Sequence, residues 1–302
     1  MELTRRWRPD SPVDIEATLS VHRRGPYDPT QQVVAGAVWQ TCSTPDGPAT
    51  LRLAPGAGGA VQATAWGMGA AWVLDRVPGW LGEHDKPEEL KPLHPIVERA
   101  AKRNTRLRIG RTELIMEALV PVILEQKVTG LEARRSWQAL MRRHGEPAPG
   151  PAPRGMRVLP APHVLRHLPS WEWHRLGVGP ERSRTIVRAA ALAGSLERLA
   201  DKPADEAMAG LQSVPGIGRW TAAEVVQRSH GDPDAVSVGD YNLPAVVAYA
   251  LAGERTADDA RMLELLEPYR GQRHRVCLLL ARSGPRPPRH GPRLPVRDYR
   301  AM

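Results

Sequence analysis

The stretch Leu211-Gln-Ser-Val-Pro-Gly-Ile-Gly-Arg-Trp-Thr-Ala222 sets a Pro-Gly-x-Gly turn between two helical patterns. Residues 201–210 read as a short helix with Pro203 in its first turn, and residues 220–229 read as a second helix. Two glycines two residues apart let the backbone turn sharply and place no Cβ between its amides and an approaching ligand. The amides of Gly216, Gly218 and Arg219 would stand unpaired at the positive end of the second helix, which makes an anion site. The plain alternative is a tight turn between two helices with glycine at a helix end.

Charge and composition narrow the ligand. The 302 residues carry a net charge of +9, which favours a polyanionic partner, and the hairpin then reads as a clamp on a nucleic-acid phosphate. A chain of this length can bury a large core and is expected to hold two domains. No apolar run has spanning length and the first twenty residues lack a signal-peptide stretch, so a cytoplasmic protein with no membrane partner is expected. The two cysteines, Cys42 and Cys277, are too few for a four-ligand iron–sulfur cluster or a disulfide scaffold. Phe is absent, so nine Trp and five Tyr carry the large aromatic packing.

Residues 11–80 read as α+β. Strands are expected at residues 13–21, 32–41, 50–54 and 60–66, with turns at Pro45-Asp-Gly-Pro48 and Pro55-Gly-Ala-Gly-Gly59, then a helix at 69–77. His22, Arg23 and Arg24 read as a solvated strand end, or else as phosphate contacts. The charged, Pro-punctuated segment 82–95 marks a domain boundary. Helices are expected at 96–104, 111–128 with a kink at Pro121, 130–144, 163–168, 172–176, 180–193, 245–252, 257–266 and 272–281. The Pro/Gly-rich segment 145–162 reads as a surface loop joining two helical lobes. These readings divide the chain into an N-terminal antiparallel-sheet α+β domain (1–90), a larger all-α domain in two lobes (91–283) and a basic, Pro-rich tail (284–302) expected to be extended.

Three segments carry a family resemblance: Ile123-Leu-Glu-Gln-Lys-Val-Thr129; Leu176-Gly177 with Arg182, Ser183 and Arg184; and the pair Val214–Ala222 and Val236–Tyr241. Together they resemble the helix-hairpin-helix DNA glycosylase superfamily, most of all its 3-methyladenine DNA glycosylase II branch. The resemblance covers residues 111–283 by motif and the N-terminal domain by size and class only. Asp240 follows Gly218 by 22 residues, the spacing the resemblance implies for a catalytic carboxylate. The chemistry agrees. Breaking an N-glycosidic bond builds positive charge on the deoxyribose, and a fixed carboxylate beside C1′ stabilises that charge and orients water. The target base must first be rotated out of the duplex. A helix cap is the other role open to Asp240, and one residue can serve both.

The resemblance implies further roles. Trp220 stands where relatives such as endonuclease III carry the lysine that attacks C1′. A monofunctional enzyme that leaves an abasic site is therefore expected. Gln126, Trp220, Glu224, Tyr241 and Leu278 are expected to line the base pocket, although Trp220 could equally be helix packing and Gln126 a buried amide. Glu224 and Leu278 replace pocket aromatics. Lys127 occupies the wedge position usually filled by Leu or Gln. Lys127, Val214, Gly216, Ile217, Gly218, Arg219 and Thr221 are the expected DNA contacts, with non-specific grip from arginines near 99–111 and 270–275. The carbonyls of Gln212, Val214 and Ile217 would hold a K+ or Na+ ion when DNA is bound, and no organic cofactor is implied. The expected function is that of a monomeric glycosylase that excises damaged bases, alkylated purines first, from double-stranded DNA in base excision repair. An inert helix-hairpin-helix DNA binder and a glycosylase for deaminated or oxidised bases are the alternatives.

Overall fold

The computed structural model describes residues 2–288. The chain opens with strand β1 (Glu2–Trp7) and helix α1 (Ile15–Leu19), the latter followed by a 3-10 turn at Ser20–His22. Strands β2 (Gln31–Val34), β3 (Ala37–Thr44), β4 (Gly47–Pro55) and β5 (Val61–Gly67) then form an antiparallel meander, and β1 adds to its β5 edge. The order is β1-β5-β4-β3-β2. One face of the sheet is apolar. Leu51 pairs with Ala65 and Leu53 with Ala63, and α2 (Ala70–Trp80) covers them with Val73, Leu74 and Val77.

The sequence expectations fail here in three places. The strand expected at 13–21 is instead helix at 15–19 and a 3-10 turn from Ser20, because Asp14 caps the helix by accepting from the Ala17 amide at 2.9 Å. Its buried residues Ile15, Thr18 and Leu19 follow the helical i, i+3, i+4 spacing. The single strand expected at 32–41 is a hairpin, turned by Ala35 and Gly36, both at positive φ. Strand β1 was not anticipated. It is an edge strand whose residues alternate between exposed and half-buried, with Leu3 and Trp7 packed against the core of the sheet domain.

The helical part comprises α3 (Pro95–Arg103), α4 (Ile115–Glu125), α5 (Gly130–His144), a small ribbon of β6 (Glu146–Pro147) and β7 (Arg157–Val158), then α6 (Pro162–His167), α7 (Ser170–Arg175), α8 (Pro180–Ala191), α9 (Ala193–Glu197), α10 (Ala204–Gln212), α11 (Arg219–Ser229), α12 (Leu243–Ala252), α13 (Asp259–Leu266) and α14 (Arg273–Ser283). Helix α4 starts later than the apolar period suggests. Residues 111–114 are irregular, with Glu113 at φ +60°, and tied to α11 by the Thr112 and Glu113 amides, which donate to the Arg228 and Ser229 carbonyls. The Glu197 carboxylate then accepts from the Ile115 and Met116 amides at 2.9 Å each and sets the start.

Two helical cores form. One is built from α4 to α11, with Leu119, Ile123, Leu140 and Trp173 at its centre. The other joins Val97 of α3 to Val247, Met262, Val276 and Leu280 of α12–α14. The division therefore falls between α11 and α12, and α3 crosses to the later lobe. Segment 145–162 does not join the lobes. It docks on the sheet, where the Arg157 amide and carbonyl engage the Pro29 carbonyl and the Thr41 hydroxyl, and where Gly150 packs on the Trp66 ring. No described helix is long and apolar enough to cross a membrane. The tail expectation, from Arg289 onward, lies outside the described residues.

Candidate active site

The hairpin between α10 and α11 is held from behind. Gly216 sits at φ +100°, and a Cβ there would strike the Thr185 side chain of α8. Glycine at 216 is thus required by backbone conformation and by packing alike. Val214 and Ile217 are buried in the core of the first lobe, so they serve the turn through their backbone alone. The Gln126 amide at the end of α4 donates to the Gly216 carbonyl at 3.0 Å and to the Thr221 hydroxyl at 2.8 Å. Thr221, expected at the DNA surface, is instead buried, with its hydroxyl engaged by Gln126.

What remains on the outside is an anion site. The amides of Gly216, Gly218 and Arg219 have no acceptor among the described residues. They stand at the N-terminus of α11, whose cap position Gly218 supplies no side chain. A Cβ on Gly218 would meet no protein atom within 4 Å. The carbonyls of Gln212 and Ile217 also lack a donor among the described residues, and that of Val214 accepts only from the Ile217 amide at 3.0 Å. Three neutral oxygens on one turn fit a hard monovalent cation.

Asp240 lies in the turn before α12. Its Oδ1 accepts from the amides of Asn242 at 2.8 Å and Leu243 at 2.9 Å, the work of a helix cap. Its Oδ2 accepts from the Trp220 indole Nε1 at 3.1 Å. Asp240 caps α12 with one oxygen and offers the other toward α11, and Trp220 holds that second oxygen from the first turn of the hairpin helix.

Along α11 the spacing of four residues puts Trp220, Glu224 and Arg228 on one face. Arg228 bonds Glu224 at 2.8 Å and the Val21 carbonyl at 3.1 Å, so it ties α11 to the N-terminal domain. The Ser237 hydroxyl donates to the other Glu224 oxygen at 2.5 Å and accepts from Gln227 at 2.9 Å. Burial pushes the Glu224 carboxyl up, but Arg228 and Ser237 outweigh it and hold the group below its ordinary range. Burial also keeps the two flanking histidines neutral, pulling His274 down to about 4 and His22, which stacks on Trp80, down to about 3. Glu224 is thus a satisfied member of a polar wall rather than a free acceptor.

The other expected pocket and grip residues scatter. Tyr241 is 86 % exposed, beside Asp240 in sequence but outside any enclosure. Leu278 packs on Ala100, Leu107 and Leu279, where it serves the seam between α14, α3 and the N-terminal domain. Lys127 is exposed at φ +53°, the apex of the α4–α5 turn. Of the 270–275 arginines, Arg273 and Arg275 are engaged by Asp234 and Asp85, while Arg270 stays exposed beside Glu267. His22 and Arg24 are not a solvated strand end. His22 lies in the interdomain seam and Arg24 pairs with Glu125 at 2.9 Å. Arg228, Ser237 and His274 were missed; the four-residue step from Glu224 to Arg228 was the one local signal for any of them.

No family model matches the chain, and no curated protein matches it in sequence. Solved structures do match. A 3-methyladenine DNA-glycosylase from Archaeoglobus fulgidus superposes with a TM-score of 0.75 at 18 % identity, over 92 % of this chain and 98 % of that one. The 8-oxoguanine glycosylase/lyase of Clostridium acetobutylicum, in complex with DNA containing cytosine opposite 8-oxoG, gives 0.68 at 11 % identity over 89 % and 90 %. The Schizosaccharomyces pombe 3-methyladenine DNA glycosylase, in complex with abasic DNA, gives 0.54 at 17 % identity over 64 % and 93 %. The chain has the fold of the helix-hairpin-helix DNA glycosylases, N-terminal sheet domain included. Enzymes named for two different lesions share that fold, so it does not choose a substrate.

Proposed function

We propose that this chain is a monofunctional DNA glycosylase. It holds duplex DNA through the 214–219 hairpin and hydrolyses the N-glycosidic bond of a damaged base, an alkylated purine in the first instance. The observation that carries this reading is the Trp220–Asp240 hydrogen bond beside a hairpin whose outer amides are unpaired. A phosphate on those amides registers the duplex against the carboxylate. With the base rotated out, Asp240 stabilises the positive charge growing at C1′ and orients the attacking water. Neither role requires Asp240 to move, because three donors fix it. The indole of Trp220 has no amine to form a Schiff base, so the product is an abasic site in an intact strand. The carbonyls of Gln212, Val214 and Ile217 would hold a monovalent cation there, and a DNA phosphate would complete its shell.

A second reading concerns the lesion. Along α11 from Trp220, the partner of Asp240, stands a Glu224–Arg228 ion pair with Ser237 and uncharged His274, not an aromatic cage. Such a wall suits a neutral base with a hydrogen-bonding edge, such as a deaminated or oxidised purine, at least as well as a cationic one.

Both readings meet one experiment. The protein is incubated with duplexes carrying methylated purines, ethenoadenine, hypoxanthine, uracil or 8-oxoguanine, and the strand is then cleaved with alkali. Cleavage of the methylated-purine duplex only after alkali is expected. Cleavage confined to the hypoxanthine or 8-oxoguanine duplex favours the second reading. Release from none defeats the glycosylase assignment, and scission without alkali defeats the monofunctional one.

A further inference from the structure

The N-terminal domain carries an exposed aromatic that no core needs. Tyr27 is 81 % exposed, in the sequence Gly25-Pro-Tyr-Asp-Pro29. Such a side chain on a slack loop would mean little. This loop is held from every side. Asp28 is fully buried and accepts from the Thr30 amide at 2.9 Å, the Thr30 hydroxyl at 2.8 Å, the Trp137 indole at 3.0 Å and the Arg24 amide. The Arg23 guanidinium donates to the Pro26 carbonyl at 3.3 Å, and Gln138 of α5 to the Tyr27 carbonyl at 3.3 Å. Gly25, at φ +97°, lies against the Arg134 side chain so closely that a Cβ would clash. Two prolines stiffen the ends.

The loop is therefore nailed to α5 and, through the Arg24–Glu125 ion pair, to the end of α4. Those two helices flank the turn that presents Lys127. The same stretch of α5 exposes Arg134 and Arg135. An ordered aromatic beside exposed guanidinium groups, with its ordering entropy already lost in folding, is a preorganised contact for a polyanion that also offers apolar faces. From Gly130 to Gln138 the helix rises about 12 Å, which is three to four steps of about 3.4 Å along one DNA strand. The Tyr27 carbonyl is thus anchored to Gln138, about two turns of α5 beyond the Lys127 turn.

We propose that loop 23–28 is a second DNA-contacting element, in which Tyr27, with Arg134 and Arg135, packs on the sugar–phosphate edge of the duplex three to four nucleotides from the lesion. The inference rests on the duplex-binding part of the function proposed above, not on its chemistry. In effect the N-terminal domain lengthens the footprint and steadies the duplex while Lys127 occupies the gap.

The test is a binding titration with a 21-base-pair duplex, a length of about two helical turns, carrying a non-hydrolysable abasic analogue. Tyr27→Ala should weaken binding about fivefold, and Tyr27→Phe should recover most of that, since the ring makes the contact. Trimming the duplex to two base pairs on the flank that Tyr27 reaches should bring the wild type down to the level of Tyr27→Ala. A benzoylphenylalanine in place of Tyr27 should crosslink to nucleotides three to four from the analogue. Equal binding by wild type and Tyr27→Ala on the long duplex, or crosslinks confined to the analogue site, overturns the proposal. Because every readout is binding, failure of base excision would leave this result separately interpretable, and normal excision would not rescue it.

Discussion

The Trp220 indole nitrogen donates to Asp240 Oδ2 at 3.1 Å, joining the first turn of the hairpin helix to the turn that begins the next lobe. The bond links the hairpin to the carboxylate that the resemblance singles out. Asp240→Asn keeps the side-chain volume and an acceptor for the α12 amides. It should lower excision at least about a hundredfold while leaving affinity for an abasic-analogue duplex within about twofold. Full-rate excision by this variant would show that another group drives the reaction.

Trp220→Phe keeps the ring and removes the N–H. With Asp240 held by the α12 amides alone, single-turnover excision should fall about tenfold, with duplex affinity unchanged. A parallel loss of affinity would mean that Trp220 acts on the DNA rather than on Asp240.

The two hairpin glycines should separate in experiment. Gly216→Ala puts a Cβ into Thr185 at φ +100°, so thermal unfolding should report at least about 1 kcal/mol of lost stability. Gly218→Ala meets no protein atom and should leave the melting temperature in place. Its methyl would instead stand between the hairpin amides and a phosphate, weakening damaged and undamaged duplexes equally. A lesion-specific loss would contradict the anchor role.

Glu224→Gln leaves Arg228 without its counter-ion on the polar wall. A buried guanidinium then repels a cationic base more than a neutral one. Excision of a methylated purine relative to hypoxanthine, measured in a mixed-substrate competition, should drop about tenfold. An unchanged ratio would place the base elsewhere.

Glu117, on α4 facing the sheet, accepts from the Ser43 amide at 2.7 Å. Burial, helped by Glu197 and Asp28 against that hydrogen bond, pushes its carboxyl up to about 8. Its ordinary value is 4.5, so the folded state holds a proton that the unfolded chain releases between those values. Stability from this group is therefore full below pH 4.5 and lost progressively up to about 8. Glu117→Gln keeps the acceptor and removes the titration. Its melting temperature should exceed the wild type's by a few degrees at pH 8 and match it near pH 4. A constant offset across that range would assign the effect to packing instead.

The hairpin and its two helices were legible from local chemistry, because a Gly-x-Gly turn and a 3.6-residue apolar period are short-range properties of the chain, whereas Asp240 was singled out by the family resemblance. The α+β-then-helical order was legible for the same reason. What local pattern could not reveal is which side chains meet across long sequence separations. The alternation at residues 13–21 looked like strand until the buried face and the Asp14 cap were seen together. Arg228 reaches Val21, Gln126 reaches Gly216, and Arg24 reaches Glu125 only after the N-terminal domain and both lobes have packed. Those contacts buried Thr221, paired Glu224 with Arg228 and Arg273 and Arg275 with Asp234 and Asp85, and set His22 and His274 within reach of the Arg228 charge. Tertiary packing decides this because a desolvated charge or hydrogen-bonding group must find its partner wherever the fold delivers one. By itself the sequence determined the turn, the two hairpin helices and the place of Asp240 in the chain; only the folded chain decided that Asp240 is held by Trp220, one helical turn before the Glu224–Arg228 ion pair.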